Sequence, residues 1–167
     1  YFENKDTHGT PFRRALEEGL IDPACSSQIG LRGPLYDKDD FKMSKEAGLL
    51  AITGPELHKM GVKRTLPMVK ERVGNGPAYL TFDIDFVDPA FAPGTGTPEA
   101  GGFTGYDSLA LVRGLTDIEF IGYDLVEVMP AYDPANITCL LAANIIYEFM
   151  TLIALSKRAK TGNQIAP

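Results

Sequence analysis

The sequence predicts an α/β domain built on a mainly parallel sheet, and three observations carry that expectation. Short apolar runs rich in β-branched and aromatic residues recur at 27–32, 49–53, 78–84 and 118–128, the length and composition of strands. Helical stretches at 11–18, 41–48, 55–60, 65–73, 106–114 and 136–157 flank and separate them. Such alternation is the pattern of parallel strands joined by crossover helices. The stretch after the third strand has neither period: Pro89, Pro93 and Pro98 alternate with Gly94, Gly96, Gly101 and Gly102. It is too long for an ordinary connection, and loops at strand ends are where open parallel sheets bind ligands.

Size and charge bound the reading further. A chain of 167 residues with 44% hydrophobic content suits one domain with a real core. A net charge of -6 argues against a nucleic-acid surface, which needs clustered Lys and Arg, and is compatible with cationic substrates. Cys25 and Cys139 make neither a metal-ligand pattern nor a disulfide framework, so a reducing, cytoplasmic compartment is expected. A mitochondrial one stays open, because the chain starts at Tyr1 rather than Met, which leaves room for a targeting segment upstream. No membrane span is expected: the nearest run, 140–155, is interrupted by Asn144 and Glu148.

Thr10 is a plausible N-cap for a helix opened by Pro11 and closed by Gly19. Gly33 and Pro34 stop the first strand, and Arg32 at its end reads as a buried or edge ion pair. His58 lies in a helical stretch with no partner motif and reads as a surface histidine. Thr104 is placed to cap the helix at 106–114, and Met129-Pro130 ends the last strand. Asn136 is expected to cap the final helix, although Asn136-Ile137-Thr138 also fits a glycosylation acceptor. That helix is apolar around much of its circumference and should pack on the sheet, and the polar tail beyond Arg158 should fray.

The chemistry gathers at the end of the third strand. Side chains alternate along a strand, so Asp83 and Asp85 should project to the same side. Like charges so placed raise each other's pKa unless a cation sits between them, and a metal ion is the simplest one. A capping or turn pair is the alternative. Asp88 reads as holding the loop through backbone hydrogen bonds.

The run F-D-I-D-F-V-D-P-A-F-A-P-G-T-G-T-P-E-A-G-G-F-T resembles the ureohydrolase family of arginases, agmatinases and guanidino-acid hydrolases. H-G-T-P-F at 8–12 and D-L-V-E-V-M-P at 124–130 are similar to two further elements of that family. The resemblance implies the three-layer α/β/α arginase fold and hydrolysis of a guanidino compound to urea and an amine. Two Mn²⁺ ions would supply the hydroxide that attacks the guanidinium carbon. It assigns Asp83 and Asp85 as metal ligands, Glu127 as the partner of the substrate guanidinium, and His8 as a proton shuttle to the leaving amine; an unperturbed imidazole suits that work at neutral pH.

Agmatine is the expected substrate and 4-guanidinobutyrate the alternative. An arginine among Arg13 and Arg14 lining the pocket would favour the carboxylate tail. The family's G-G-D-H and D-A-H-x-D elements are absent from the sequence, so the chain looks like the C-terminal half of a longer protein that would assemble as a trimer or hexamer. Two other readings stand beside this one. An inactive fragment or paralogue would lack the upstream ligands. A haloacid dehalogenase-like phosphatase would use D-I-D with Val87 following, but its downstream lysine and acidic pair are not convincingly placed.

Overall fold

The computed structural model describes residues 4–34 and 40–161. Along them run α1 (Pro11–Glu17), β1 (Ser27–Leu31), α2 (Asp40–Glu46), β2 (Leu50–Thr53), α3 (Gly54–Met60), α4 (Val62–Val73), β3 (Ala78–Asp83), α5 (Gly105–Gly114), β4 (Phe120–Val126) and α6 (Ile137–Thr161). The helix–strand alternation is as expected, with boundaries shifted by a few residues. Among the described residues the four named strands all pair in parallel. Within these residues they form two separate pairs, β1 with β2 and β3 with β4, rather than one continuous sheet. Of the polar tail, residues 162–167 lie outside the described residues.

The β3–β4 pair explains where the core sits. Leu80 stands opposite Tyr123 and Phe82 opposite Leu125; these four side chains share one face and join the hydrophobic core. The other face carries Thr81, whose hydroxyl donates to Asp124 Oδ1 at 2.6 Å, and Tyr79, whose phenol donates to Asp124 Oδ2 at 2.8 Å. α6 closes over the core face with a stripe spaced three and four residues apart: Ala142, Ile145, Phe149 and Leu152 are all buried. Phe149 stacks on Tyr123 with ring centroids 5.1 Å apart, and Arg113 of α5 pairs with Glu148 at 2.6 Å. By length and composition alone, α6 is long and apolar enough to cross a membrane. Its apolar content divides between the core stripe and an outward row that includes Leu140, Tyr147 and Met150.

Capping corrects two sequence expectations. Thr104 caps α5 as expected, in a capping box with Asp107, and Thr53 with Glu56 does the same for α3. Thr10 makes no side-chain cap to α1: its hydroxyl donates to Lys5 O at 2.8 Å and accepts from the Thr7 amide at 2.9 Å, tying down the preceding turn instead. Asn136 does not cap α6 either. The backbone is left-handed at Ala135 and Asn136, and Asp133 reaches over to accept from the Thr138 and Cys139 amides, both at 2.8 Å. Thr138 of the glycosylation-like triplet is fully buried, its hydroxyl accepting from the Gly94 amide at 2.7 Å.

Asp133 carries a pH prediction. Burial works to raise its carboxyl, but the amides of Cys139 and Thr138 outweigh burial and hold it down to about 2. A carboxyl whose pKa is lower folded than unfolded, where it is about 3.9, contributes stability present above the unfolded value and lost as pH falls through the folded one. The thermal midpoint is therefore expected to drop between about pH 4 and pH 2, and Asp133→Asn should flatten that drop. Superimposable acid profiles for the two proteins would exclude this carboxylate as a contributor.

Candidate functional site

Asp83 is the last residue of β3, and the chain then enters a 3-10 turn, Ile84–Phe86. Ile84 and Phe86 are buried and pin the turn to the core. Asp85 lies between them, and its amide donates to Asp83 Oδ1 at 3.0 Å. The two carboxylates are therefore neighbours because the backbone turns, not because a strand alternates. Asp85 Oδ2 in turn accepts the Thr97 hydroxyl at 3.1 Å from across the loop.

Asp83 keeps accessible surface at the strand end, while the protein atoms crowding its other sides desolvate the carboxylate. That desolvation first, and then the Asp85 charge, push its carboxyl up to about 7; the Asp85 amide opposes the rise and the Glu127 charge adds to it. Two adjacent carboxylates held in this way fit a hard divalent cation, which prefers oxygen donors. The described residues hold no group of three or more His, Cys, Asp or Glu side chains placed to bind a metal. Asp83 and Asp85 are two adjacent carboxylates, fewer than such a group requires.

Glu127 is positioned by β4. Because β4 runs parallel to β3, with Val126 opposite Asp83, both strands end at the same edge and Glu127 leaves β4 just where Asp83 leaves β3. Its backbone is left-handed at φ 63°, a conformation that costs a residue with a Cβ free energy and that collects at functional sites. The following segment is fixed to the central loop: the Met129 amide donates to Gly94 O at 2.8 Å, and Val128 bridges Thr95 in antiparallel fashion. The structure thus brings Asp83, Asp85 and Glu127 to one sheet edge.

The remaining expected residues lie in and just before α1: His8 is exposed in the turn that precedes it. Arg13 and Arg14 both engage Glu17 on α1, each at 2.8 Å.

Asp88 does what its sequence reading proposed. Its Oδ1 accepts from the Ala90 amide at 3.0 Å, and its Oδ2 from Gly101 and Gly102 at 2.9 and 3.0 Å. The Ala90 amide, followed by the Gly102 and Gly101 amides and the Arg32 charge, outweighs desolvation and holds this carboxyl below the usual range.

Three residues exceed what the sequence indicated. Arg32 donates to the carbonyls of Asp85, Val87 and Glu99, so it serves the loop rather than the expected ion pair. His58 is exposed but partnered: its ring stacks on Phe103 at 4.2 Å, and its Nε2 lies 3.0 Å from Gly101 O. Phe103 stacks in turn on Phe86 at 4.5 Å, so His58 continues a ring stack that begins beside the carboxylates. Thr97 carried no sequence signal beyond its place in the Gly-Pro run. All three contacts span long sequence separations that periodicity does not encode.

Residues 1–152 match the model of the arginase family. The chain is 48% identical over 157 residues to a guanidinopropionase from Pseudomonas aeruginosa, covering 93% of this chain and 49% of that protein. It is 45% identical over 152 residues to a guanidinobutyrase from the same organism, covering 91% and 48%. The crystal structure of a hypothetical agmatinase from Burkholderia thailandensis superimposes with a TM-score of 0.82 at 43% identity, over 95% of this chain and 46% of that one. The chain spans about half the length of the curated relatives it matches. These likenesses bear out the arginase-like fold and give no support to a phosphatase. With parallel strands that deliver two carboxylates and a glutamate to one edge, and a family match running through both loops that hold them, the chain belongs to the arginase family.

Proposed function

We propose that the protein carrying this chain hydrolyses a guanidino compound to urea and an amine in a manganese-dependent reaction. The observation that carries this reading is the meeting of Asp83, Asp85 and Glu127 at one sheet edge, where desolvation first and then the Asp85 and Glu127 charges raise the Asp83 carboxyl. Asp83 and Asp85 would hold the metal; when bound, it supplies a Lewis acid and activates water at neutral pH.

Every other role belongs to side chains. Glu127 accepts two parallel hydrogen bonds from the substrate guanidinium, which fixes the plane of the guanidinium and turns one face toward the metal edge. Thr97 fixes the Asp85 carboxylate, and Asp88 fixes the loop around it. His8 is assigned the transfer of a proton to the departing amine nitrogen.

Agmatine is the proposed substrate. Arg13 and Arg14 are engaged by Glu17, so neither offers a ready partner to a carboxylate tail, although such exposed pairs are worth only about 0.2–1 kcal/mol. The relatives named guanidinobutyrase and guanidinopropionase favour a guanidino acid as the second reading.

Urea release by the full-length protein, with Mn²⁺ added, tests this against agmatine, 4-guanidinobutyrate, 3-guanidinopropionate and arginine in parallel. Urea from agmatine supports the proposal as stated, and urea from a guanidino acid alone moves the tail assignment. Bound Mn²⁺ with no urea from any of the four would point to an inactive paralogue and overturn it.

A further inference from the structure

Three backbone carbonyls converge at the end of β1. They belong to Asp85 and Val87, just past the third strand, and to Glu99, on the returning arm of the same loop. A terminal nitrogen of Arg32 reaches all three: it donates to Asp85 O, to Glu99 O at 3.0 Å and, more weakly, to Val87 O at 3.4 Å. Arg32 itself immediately follows β1, a strand paired with β2 and not with β3. Its guanidinium therefore ties the outgoing and returning arms of the 83–104 loop to a different part of the fold. Convergent carbonyls present the negative ends of their dipoles to one point, and a partly buried cation with several donors in a fixed plane satisfies them together.

The packing leaves no slack at this junction. A Cβ on Gly102 would overlap the Asp88 backbone and crowd the Arg32 guanidinium, so the returning arm can lie against Asp88 and Arg32 only as glycine. Asp88 holds that arm through the Gly101 and Gly102 amides, while Arg32 holds the carbonyl of Asp85 itself. The backbone of one carboxylate of the metal edge is thereby fixed at its own peptide group.

We propose that Arg32 is a positioning residue that holds the Asp85 carboxylate in its metal-binding pose by anchoring the Asp85 carbonyl to Glu99 across the loop. This rests on the reading of Asp83 and Asp85 as metal ligands.

The test is Mn²⁺ titration of the metal-stripped full-length protein, carried out well below its melting temperature. Arg32→Met keeps the aliphatic stem and removes every donor; it is expected to weaken Mn²⁺ binding by about 10- to 100-fold, the usual cost of losing an outer partner of a metal ligand. Arg32→Lys returns one ammonium and should recover part of the affinity, and it decides the question should Arg32→Met fail to fold. Ile145→Val, a core change distant in sequence from the loop, controls for lost stability: it should lower the melting temperature and leave Mn²⁺ affinity unchanged. Hydrogen exchange at the Gly101 and Gly102 amides should quicken in the metal-free Arg32→Met protein. Mn²⁺ affinity equal to wild type in both Arg32 variants would overturn the positioning role. Absence of Mn²⁺ binding by the wild-type protein would instead overturn the metal-ligand reading beneath it, so the two failures are distinguishable.

Discussion

Asp85→Ala in the full-length protein is expected to abolish both Mn²⁺ retention and urea release, a loss of more than about a thousandfold if the metal contributes several kcal/mol to the barrier. The substitution removes one of the two carboxylates that the described residues offer to a cation, and it strands the Thr97 hydroxyl that now donates to it. Asp85→Asn separates charge from shape: it keeps the volume and an acceptor for Thr97 while withdrawing the anion, and it should fall nearly as far. In either variant the Asp83 carboxyl should move down toward its ordinary value, because one of the two charges that raise it is gone. Metal analysis together with a urea assay checks this, and a variant retaining both metal and turnover would refute the ligand assignment.

The second large effect is expected at Glu127, and it separates substrate binding from metal binding. Glu127→Gln removes the carboxylate charge and leaves one acceptor oxygen, its NH2 group facing a guanidinium that has only donors to offer. Hydrogen bonds to charged groups are worth about 1.5–3 kcal/mol, so kcat/KM should fall roughly 10- to 100-fold while Mn²⁺ content stays at the wild-type level. Glu127→Gly tests the backbone. With φ at 63°, glycine relieves the left-handed strain and should stabilise the fold by up to about 1 kcal/mol while removing the guanidinium partner. A rise in melting temperature together with a loss of activity is the expected outcome. Loss of both would show that the Glu127 side chain is needed for packing instead.

Much of the site was legible because its residues sit at strand ends, which local sequence marks well. The run from Phe82 to Thr104 announces itself by a strand that stops in carboxylates and a loop too rich in Pro and Gly to be a mere connection. Thr104 and Asp107 form a capping box, a local pattern that four residues suffice to specify. Where local rules competed, sequence misled. Asp83 and Asp85 were brought together by the wrong geometry: strand alternation was expected, and a 3-10 turn with an Asp85 amide on the Asp83 carboxylate does the work. Thr10 and Asn136 looked like caps because threonine and asparagine favour those positions. One instead serves the preceding turn, and the other yields to Asp133 because the left-handed residues before α6 place a more distant carboxylate over its first amides.

What sequence alone determined, then, are the properties carried by neighbours along the chain. These are the alternation of helices and strands, the two carboxylates at the end of β3, the glutamate after β4, and the motifs that resemble one family. Tertiary structure decided which of these meet. Parallel pairing of β3 with β4 carries Glu127 to the edge where the Asp83 carboxyl is raised, and the same folding leaves His8 exposed in the turn before α1. It also turned two residues with bland sequence readings into supports of the loop, Arg32 through carbonyls 53 to 67 residues away and His58 through the Phe103 ring. The physical reason is that hydrogen bonds and ring stacking depend on separations in space, which become defined only when the core has fixed the strands that bring distant segments together.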